Sequence, residues 1–249
     1  MSDRFRVTLA QFNPTVGDLE GNAALAHKAW QAGREAGANL VALPEMFITG
    51  YNTQDLVMKP AFHQAAIARI EELARECADG PALAIGGPAL EGAGLYNAYY
   101  ILKGGSVTAC VLKHHLPNET VFDEVRIYSS APVGGPYAVD GVRIGSPICE
   151  DSWHEDVPET LAETGAEFLL VPNGSPYYRG KMDTRINLMV SRVIETGLPL
   201  IYLNLVGAQD DQVFDGGTFA LNPGGALALQ MPVMQEAISH VDLQRTPEG

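Results

Sequence analysis

Three residues that lie far apart in the sequence have side chains that together can carry out acyl transfer. Glu45 follows the apolar run NLVALP, Lys113 ends the run VTACVLK, and Cys149 follows GVRIGSPI. A thiol with an ordinary pKa of about 8.5 is only a few per cent thiolate at neutral pH, so it needs a general base, and Glu45 suits that role. The ammonium of Lys113 suits the oxyanion of a tetrahedral intermediate.

The residues that follow Cys149 raise a difficulty, because the sequence from 148 to 153 is ICEDSW. Two carboxylates beside a thiol raise its pKa and weaken it as a nucleophile. Cys149 is therefore either inert or activated by groups from elsewhere in the chain. A lone cysteine at a strand end is usually a small buried hydrophobic residue, so the hypothesis depends on Glu45 and Lys113 lying close to it.

The elements that would position these residues alternate between strand and helix patterns, which predicts an α/β fold. The segments expected in the first half are strands at 5–12, 39–45 and 81–90, helices at 19–36 and 61–78, and a hairpin that turns at Gly104-Gly105. The second half repeats the theme with strands at 141–148, 167–173 and 199–207, helices at 155–164 and 182–196, and a hairpin that turns at 223–225. No linker interrupts them, so residues 1–249 are expected to form one domain with two mixed sheets.

Glu45, Lys113 and Cys149 then lie at or just beyond the carboxyl ends of predicted strands. The carboxyl ends of strands are where α/β sheets open their binding crevice. The three side chains are therefore expected to converge.

Composition excludes several classes of partner. The 249 residues carry a net charge of -14, which gives nucleic-acid phosphates and anionic lipids nothing to bind, so neither partner is expected. No apolar run reaches 18 residues, and the N-terminal sequence MSDRFRVTLAQF enters a strand pattern at once. These features predict a cytoplasmic protein that acts on a small molecule or a protein partner.

The other reactive side chains have simpler interpretations. Cys77 and Cys110 lack ligand spacing and are expected to pack in the core, and no disulfide is expected. His154, five residues after Cys149, offers a rival Cys-His dyad, but a supporting role at a helix start is favoured. His114 and His115 would point to opposite strand faces, so no shared metal is expected. The acidic run at 208–217 lacks EF-hand spacing and is interpreted as a turn before a strand.

Five blocks of sequence resemble those of the nitrilase superfamily, and more closely its glutaminase branch, the amidotransferase domain of glutamine-dependent NAD synthetase. The blocks are LPEMFITGYNTQDL (43–56), LKHHLPNETVFDE (112–124), ICEDSW (148–153), NGSPYYRGK (173–181) and VGAQDDQVFDGGTF (206–219). They run in order over almost the whole chain. The resemblance implies a four-layer αββα sandwich in which Glu45, Lys113 and Cys149 form a catalytic triad.

The resemblance also implies a reaction and its partners. Glutamine would be hydrolysed to glutamate and ammonia through a thioester on the cysteine, and the ammonia would pass to a synthetase active site on a separate domain or subunit. Two-fold pairing into a homo-oligomer is implied as well. The family's second glutamate, which braces the lysine, corresponds to Glu124, and the residues that hold the substrate correspond to Glu150, Trp153, Ser175 and Lys181.

Two departures from the family pattern affect the substrate and the cofactors. Where the family branch usually has LPNYGVFDE, with a tyrosine in the substrate pocket, this chain has Glu119 and Thr120, so Glu119 is a candidate substrate-binding residue. Nothing resembles the SGGxDS pyrophosphate loop of the synthetase half. ATP and Mg²⁺ are therefore expected to belong to a synthetase domain that is absent from these residues, and no cofactor is expected in this chain.

Glu150 has a further reason to be a binding residue. A substrate glutamine carries an α-ammonium group, and a fixed carboxylate in a partly dry pocket binds that charge while rejecting amides that lack it. Lys181 could pair with the substrate carboxylate. Two other hypotheses remain open, namely a stand-alone amidohydrolase for a small amide, nitrile or N-carbamoyl compound, and a catalytically silent subunit.

Overall fold

The computed structural model describes residues 4–119 and 121–245, in which strands and helices alternate along most of the chain. The strands are β1 Arg4–Gln11, β2 Leu40–Ala42, β3 Ala82–Glu91, β4 Gly94–Lys103, β5 Ser106–Leu112, β6 Tyr137–Val139, β7 Val142–Gly145, β8 Phe168–Asn173, β9 Leu200–Asn204, β10 Val206–Gln209, β11 Gln212–Asp215, β12 Phe219–Leu221, β13 Leu227–Gln230 and β14 Ala237–Gln244. The helices are α1 Leu19–Glu35, α2 Pro60–Glu76, α3 Glu124–Ile127, α4 Asp156–Glu163 and α5 Lys181–Thr196, and a 3₁₀ turn spans Cys149–Trp153.

Twelve of these strands form two six-stranded sheets with similar centres, and β10 and β11 form a separate two-stranded sheet. The first has the order β14-β1-β2-β3-β4-β5 and the second the order β13-β12-β9-β8-β7-β6. The strands β1, β2 and β3 run parallel through the crossover helices α1 and α2. The strands β7, β8 and β9 do the same through α4 and α5. The crossover helices cover the outer face of each parallel centre but leave the carboxyl ends of the strands uncovered. Functional side chains of α/β proteins usually lie at these strand ends.

Three apolar clusters define four layers. One cluster joins the facing sides of the two sheets and includes Val7 and Leu40 from the first and Leu170 and Ile201 from the second. A second packs α1 and α2 against the first sheet. A third packs α4 and α5 against the second sheet. This arrangement is the αββα sandwich that the resemblance implies, and that prediction is confirmed.

The ends of two strands differ from their predicted positions. The strand before Cys149 ends at Gly145, so Cys149 lies on the 3₁₀ turn and not at a strand end. The strand before Glu45 ends at Ala42. In both places a proline follows within two residues, and proline has no N–H with which to continue a sheet ladder.

Other elements were not foreseen from the sequence. The strand β14 lies beside β1, and β6 forms the edge of the second sheet. The acidic run at 208–217 is a hairpin of β10 and β11 turning at Asp210-Asp211, and not a turn before a single strand. Cys77 is buried as predicted, whereas Cys110 is exposed, because it lies on β5 at the edge of the first sheet.

Among the residues that the structure describes, none of the helices is both long and apolar enough to span a bilayer.

Candidate active site

The segment that carries Glu45 leaves β2 and crosses β3 at very short range. A Cβ added at Gly86 of β3 would lie 2.1 Å from the backbone nitrogen of Met46 and 2.6 Å from the carbonyl carbon of Glu45. Because Gly86 has no Cβ, the backbone at Glu45 and Met46 can cross β3 at this distance. The carbonyl of Gly86 accepts a hydrogen bond from the N–H of Ile48 at 3.0 Å. This close crossing fixes Glu45 beneath the surface, where its side chain is fully buried.

Lys113, directly after β5, lies between two carboxylates. Its Nζ is 2.7 Å from Oε1 of Glu45 and 2.8 Å from Oε2 of Glu124, the first residue of α3. All three side chains are buried. Charges in such a site are stable only as hydrogen-bonded partners, because the cost of removing each from water is several kcal/mol. The structure thus brings Glu45, Lys113 and Glu124 into direct contact.

Two further residues complete this buried cluster, and sequence reasoning did not single them out. Asn97 of β4 donates its amide to Oε1 of Glu45 at 2.8 Å and to Oε1 of Glu124 at 3.1 Å. The hydroxyl of Tyr51 donates to Oε1 of Glu124 at 2.8 Å. Asn97 could have been suspected, since it is the one amide in the otherwise apolar run LYNAYYIL. Tyr51 lies within the block 43–56 but carries no local signal.

Cys149 opens the 3₁₀ turn in a backbone conformation that few residues other than glycine adopt. Its φ is +47°, in the left-handed region, and its side chain is buried. The hydroxyl of Ser152 donates to the carbonyl of Cys149 at 2.6 Å, which closes the turn. A strained, over-determined backbone at a nucleophile candidate is typical of functional sites.

The pKa values of the cluster depend on burial and on each other's charge. Burial and the charge of Glu45 raise the pKa of the Cys149 thiol well above its ordinary value, against the opposing effect of Lys113. Burial lowers the pKa of Lys113, but Glu124 and Glu45 outweigh it and raise that pKa well above the ordinary value. Burial raises the pKa of Glu124. The resting cysteine is therefore a thiol and the lysine an ammonium.

Asp151, the second acid after Cys149, holds two loops together. Its Oδ1 accepts hydrogen bonds from the backbone N–H of His114 at 3.1 Å and of His115 at 2.7 Å. Its Oδ2 accepts from the backbone N–H of Ile148 at 3.0 Å. The carboxylate is buried, and burial raises its pKa. Asp151 thus ties the segment after Lys113 to the segment before Cys149, a structural use for an acid beside the thiol.

Glu150, unlike Asp151, is only partly buried. Its side chain is 30% exposed, and its Oε1 lies 3.5 Å from Nε2 of His154. The charge of Glu150 still raises the pKa of Cys149, though by less than burial and Glu45 do. His154 is an exposed side chain whose ring stacks on that of His115 at 3.9 Å between centroids. The structure therefore shows His154 paired with Glu150 and His115 on the surface, and no contact with Cys149 supports a dyad within the described residues.

Trp153 and Lys181 meet although they are 28 positions apart. The Nζ of Lys181, at the first residue of α5, lies 4.1 Å from the centroid of the Trp153 ring and 4.7 Å from that of Tyr178. Such cation–π contacts hold an ammonium in place while leaving its N–H donors free for an anion. Both Trp153 and Lys181 are half-buried, so they remain reachable from solvent.

Ser175 is buried and already hydrogen-bonded. Nε of Arg185 donates to its hydroxyl at 3.1 Å, and its backbone N–H donates to Oδ1 of Asn204 at 2.9 Å. Arg185 is itself buried and pairs with Asp215 at 2.7 Å. Ser175 therefore belongs to a buried hydrogen-bond network that holds the segment 173–176 in place. Arg185, Asn204 and Asp215 were not singled out from the sequence.

Glu119 is exposed and lies apart from the buried cluster. Its carbonyl accepts a hydrogen bond from the N–H of Phe122 at 3.1 Å in the turn that leads to α3. Across residues 4–119 and 121–245 its carboxylate forms no ion pair with Lys113 or any other cation. Thr120, which shares the departure from the family pattern, lies outside the described residues.

His114 and His115 do not lie on opposite faces as predicted, because β5 ends at Leu112 and strand alternation stops there. Their rings meet edge to face at 4.4 Å between centroids. One donor atom from each histidine and one from Asp156 all lie within 4.8 Å of one another. The prediction that they could not share a metal ion was based on opposite strand faces, and that basis was wrong.

Comparison with known proteins supports a common origin for the whole chain. A family model described as carbon-nitrogen hydrolase matches residues 6–247. The glutamine-dependent NAD(+) synthetase of Rhodobacter capsulatus is 60% identical over 245 residues, which are 98% of this chain and 44% of that protein. The protein of the same name from Xylella fastidiosa is 39% identical over 231 residues, which are 90% of this chain and 42% of that protein.

Solved structures agree with the sequence relatives. The glutamine-dependent NAD+ synthetase from Acinetobacter baumannii, in complex with ADP, superposes with a TM-score of 0.89 at 32% identity, over 97% of this chain and 46% of that one. An amidase from Nesterenkonia sp. gives a TM-score of 0.82 at 25% identity, over 96% of this chain and 90% of that one. This chain thus spans less than half the length of the synthetases and almost the full length of the amidase.

Proposed function

Because this chain belongs to the carbon-nitrogen hydrolase family, we propose that it hydrolyses the side-chain amide of glutamine to give glutamate and ammonia through a thioester on Cys149. The observation that carries the proposal is the buried ammonium of Lys113, held between Glu45 and Glu124 and close enough to affect the thiol pKa of Cys149. Relatives 60% and 39% identical are named glutamine-dependent NAD(+) synthetases, which supports glutamine as the amide.

The first half of the reaction forms the thioester. Glu45 accepts the thiol proton as Sγ of Cys149 attacks the amide carbonyl, and the carbonyl oxygen takes the negative charge. An ammonium has three N–H donors. Two of those of Lys113 bind Glu45 and Glu124, and within the described chain the third stays available for this oxyanion. Glu45 then gives its proton to the leaving nitrogen, and ammonia departs.

The second half hydrolyses the thioester. Glu45 takes a proton from water as the water oxygen attacks the thioester carbonyl, and Lys113 again stabilises the oxyanion. The C–S bond breaks, Glu45 returns its proton to the sulfur, and the product leaves as glutamate once its new carboxyl group has lost its proton to solvent. The hydrogen bond from the Gly174 N–H to Oε2 of Glu45 and that from Asn97 to Oε1 keep the base oriented through both halves.

Residues around the cluster would hold the amino acid. The carboxylate of Glu150, partly exposed on the turn that carries Cys149, binds the α-ammonium of glutamine. The ammonium of Lys181, stacked on Trp153, binds the α-carboxylate. Ser175, held by Arg185, forms part of the pocket wall and fixes its shape. Glu119 is proposed only for the rim, since it is exposed.

The ammonia has a proposed destination outside this chain. We propose that residues 1–249 act as one glutaminase domain that supplies ammonia to an NAD synthetase active site, on a separate domain or subunit. ATP and Mg²⁺ would be bound there and not by this chain. The coverage of less than half of each synthetase relative supports this division of labour. A homo-oligomer is part of the same proposal.

The decisive experiment measures ammonia release from glutamine by the 249-residue chain. Release is expected from the wild type and is expected to be lost in Cys149→Ala. His154→Gln is the matched control, since His154 is a surface neighbour on the same segment that takes no part in the proposed chemistry. Trapping of a glutamyl adduct on Cys149 by mass spectrometry would identify the thioester directly. Equal release by the wild type and by Cys149→Ala would refute the mechanism.

A stand-alone amidohydrolase is the second candidate, because the Nesterenkonia amidase matches over 90% of its own length. The two candidates differ in the substrate turned over. Hydrolysis of propionamide or another small aliphatic amide, with none of glutamine, would favour this second function. A folded chain that turns over neither substrate and whose Cys149 resists a glutamine-like diazo ketone would favour a silent subunit.

A further inference from the structure

Two imidazoles and a carboxylate meet on the surface beside the candidate active site. Nε2 of His115 lies 2.8 Å from Oδ1 and 3.0 Å from Oδ2 of Asp156. Nε2 of His114 lies 3.9 Å from Oδ2 of the same carboxylate. We propose that His114, His115 and Asp156 form a binding site for a divalent transition-metal ion of the Zn²⁺ type.

The spacing of the donor atoms fits such an ion. Zn²⁺ binds imidazole nitrogen at about 2.0–2.1 Å and carboxylate oxygen at about 2.0–2.2 Å, so tetrahedral donors lie about 3.3 Å apart. The distances of 2.8 Å and 3.9 Å from the two nitrogens to the carboxylate lie on either side of this value. The three donor atoms all lie within 4.8 Å of one another, so side-chain shifts alone are expected to bring them to the tetrahedral separation.

The tautomer of His114 is already suitable for metal binding. Its Nδ1 lies 2.5 Å from the carbonyl oxygen of Ala131, which can only accept, so Nδ1 carries the hydrogen. In the neutral ring the lone pair is therefore on Nε2, the atom that faces Asp156. A hydrogen bond from the second ring nitrogen to a carbonyl is the usual means by which proteins orient a metal-binding histidine.

The position of both rings is fixed from other directions as well. The backbone N–H groups of His114 and His115 both bind Oδ1 of the buried Asp151. The ring of His115 is also held against His154, with 3.9 Å between the centroids and 29° between the planes. Since the ligands are held before the ion arrives, little side-chain entropy is lost on binding.

The chemistry of the donors selects the class of ion. Imidazole nitrogens favour Zn²⁺, Cu²⁺, Ni²⁺ and Co²⁺, whereas Mg²⁺ and Ca²⁺ take oxygen ligands. The side chains of His114, His115 and Asp156 are 29%, 25% and 53% exposed, so water can supply the remaining ligand. A shallow cavity of about 390 Å³ lined by Trp153, His154, Glu155 and Asp156 adjoins the carboxylate of the site.

The proposed metal site lies on the two segments that carry Lys113 and Cys149 of the candidate active site. The two histidines directly follow Lys113, and Asp156 begins α4 three residues after the turn that carries Cys149 ends. A bound ion would join these two segments at the surface, on the side where Trp153 contacts Lys181. The proposal does not depend on the proposed function, because metal binding is measured without turnover.

Calorimetric titration of the 249-residue chain with ZnCl₂ tests the site, with the absorption spectrum of a Co²⁺ adduct as a second readout. We expect one ion per chain, and a weakening of about 10-fold to 100-fold in His115→Gln and in Asp156→Asn. His27→Gln and Asp183→Asn are the matched controls, the latter removing a first-turn acid from α5 instead of α4. Cys149→Ala, which removes the thiol of the active site, should bind the ion as the wild type does.

Three outcomes would overturn the proposal. The first is no stoichiometric binding by the wild type. The second is binding by His115→Gln and Asp156→Asn with unchanged affinity, and the third is loss of binding in Cys149→Ala alone. Because both ligand substitutions lie on the surface, circular dichroism and thermal melting of each variant will separate loss of the site from loss of the fold.

Discussion

The backbone N–H of Gly174 donates a hydrogen bond of 2.7 Å to Oε2 of Glu45. Glu45 follows β2 of the first sheet and Gly174 follows β8 of the second, so this bond joins the carboxyl ends of the two parallel centres. The candidate base is therefore held by both halves of the sandwich. Its position depends on how the sheets face each other as well as on its own loop.

Gly174→Ala is expected to reduce both activity and stability. An added Cβ would lie 2.3 Å from Cδ1 of Tyr51, whose hydroxyl binds Glu124, so either the ring or the N–H must move. Overpacking of this kind costs about 1–3 kcal/mol, measurable as a lower free energy of unfolding in urea. Gly134→Ala is the control, because a Cβ there meets nothing within 4 Å. Equal stability of the two variants would contradict the account.

Alkylation of Cys149 should show that the resting sulfur is a thiol. Because burial and Glu45 raise its pKa, the thiolate fraction is smaller than in an ordinary cysteine at every pH below the raised pKa. The rate of modification by iodoacetamide should therefore keep rising through pH 9, beyond the ordinary pKa of about 8.5. The same peptide, followed by mass spectrometry in the urea-unfolded chain, serves as control. A plateau near neutral pH in the folded chain would show that the thiolate is already formed.

Replacement of the candidate base Glu45 should have opposite effects on the alkylation rate of Cys149 and on the hydrolysis of glutamine. Glu45→Gln removes a charge that raises the pKa of Cys149, so the thiol should be alkylated faster than in the wild type at pH 8. Ammonia release should nevertheless fall by about 100-fold to 10,000-fold, because the general base is lost. Slower alkylation together with retained turnover would mean that Glu45 does not act on the sulfur.

Glu150→Gln should discriminate between substrates. A hydrogen bond to a charged group contributes about 1.5–3 kcal/mol, so kcat/KM for glutamine should fall about 10-fold to 100-fold. Hydrolysis of a small neutral amide should not fall, since the substitution also removes a charge that raises the thiol pKa. Glu155→Gln, a neighbouring acid that is 69% exposed, is the control. An equal loss with both substrates would assign Glu150 a structural role.

Asp151→Asn is expected to weaken the fold around the site. An asparagine side chain has one oxygen and one amide group, so it can accept from Ile148 or from the pair of histidine N–H groups, but not from both sides. Leaving buried donors without a partner costs about 1–3 kcal/mol in the free energy of unfolding. Asp79→Asn, at an exposed position, should change it little. Unchanged stability in Asp151→Asn would indicate that water replaces the lost acceptor.

Local periodicity was enough to predict most elements, because the pattern of an amphipathic helix or an alternating strand is set by residues that are close together in the sequence. The helix expected at 19–36 spans Leu19–Glu35, and the one expected at 182–196 spans Lys181–Thr196. The pairing of β14 with β1 joins positions more than 220 residues apart, and no local pattern specifies it. The four-layer arrangement itself came from the resemblance.

In the candidate site, too, contacts between residues far apart in the sequence could not be predicted from local patterns. Glu45, Lys113 and Cys149 could be selected by residue type and position, yet the bridging of Glu45 and Glu124 by Asn97 depends on side chains from three segments. The prediction for His114 and His115 failed because β5 ends at Leu112, before either histidine, so the strand alternation on which it was based does not reach them. Asp151 was seen as an obstacle to the thiol until its three backbone partners were known.

The placement of Lys113 between two carboxylates has a consequence for the electrical state of the protein interior. With a neutral thiol, the group of Glu45, Glu124, Lys113 and Cys149 holds one net negative charge. Proton transfer from sulfur to Glu45 moves that charge onto sulfur, and attack on the amide moves it onto the carbonyl oxygen. The total never changes during the proposed reaction. The low-dielectric core therefore never has to gain or lose an ion, and the charge moves only among groups that are already in place.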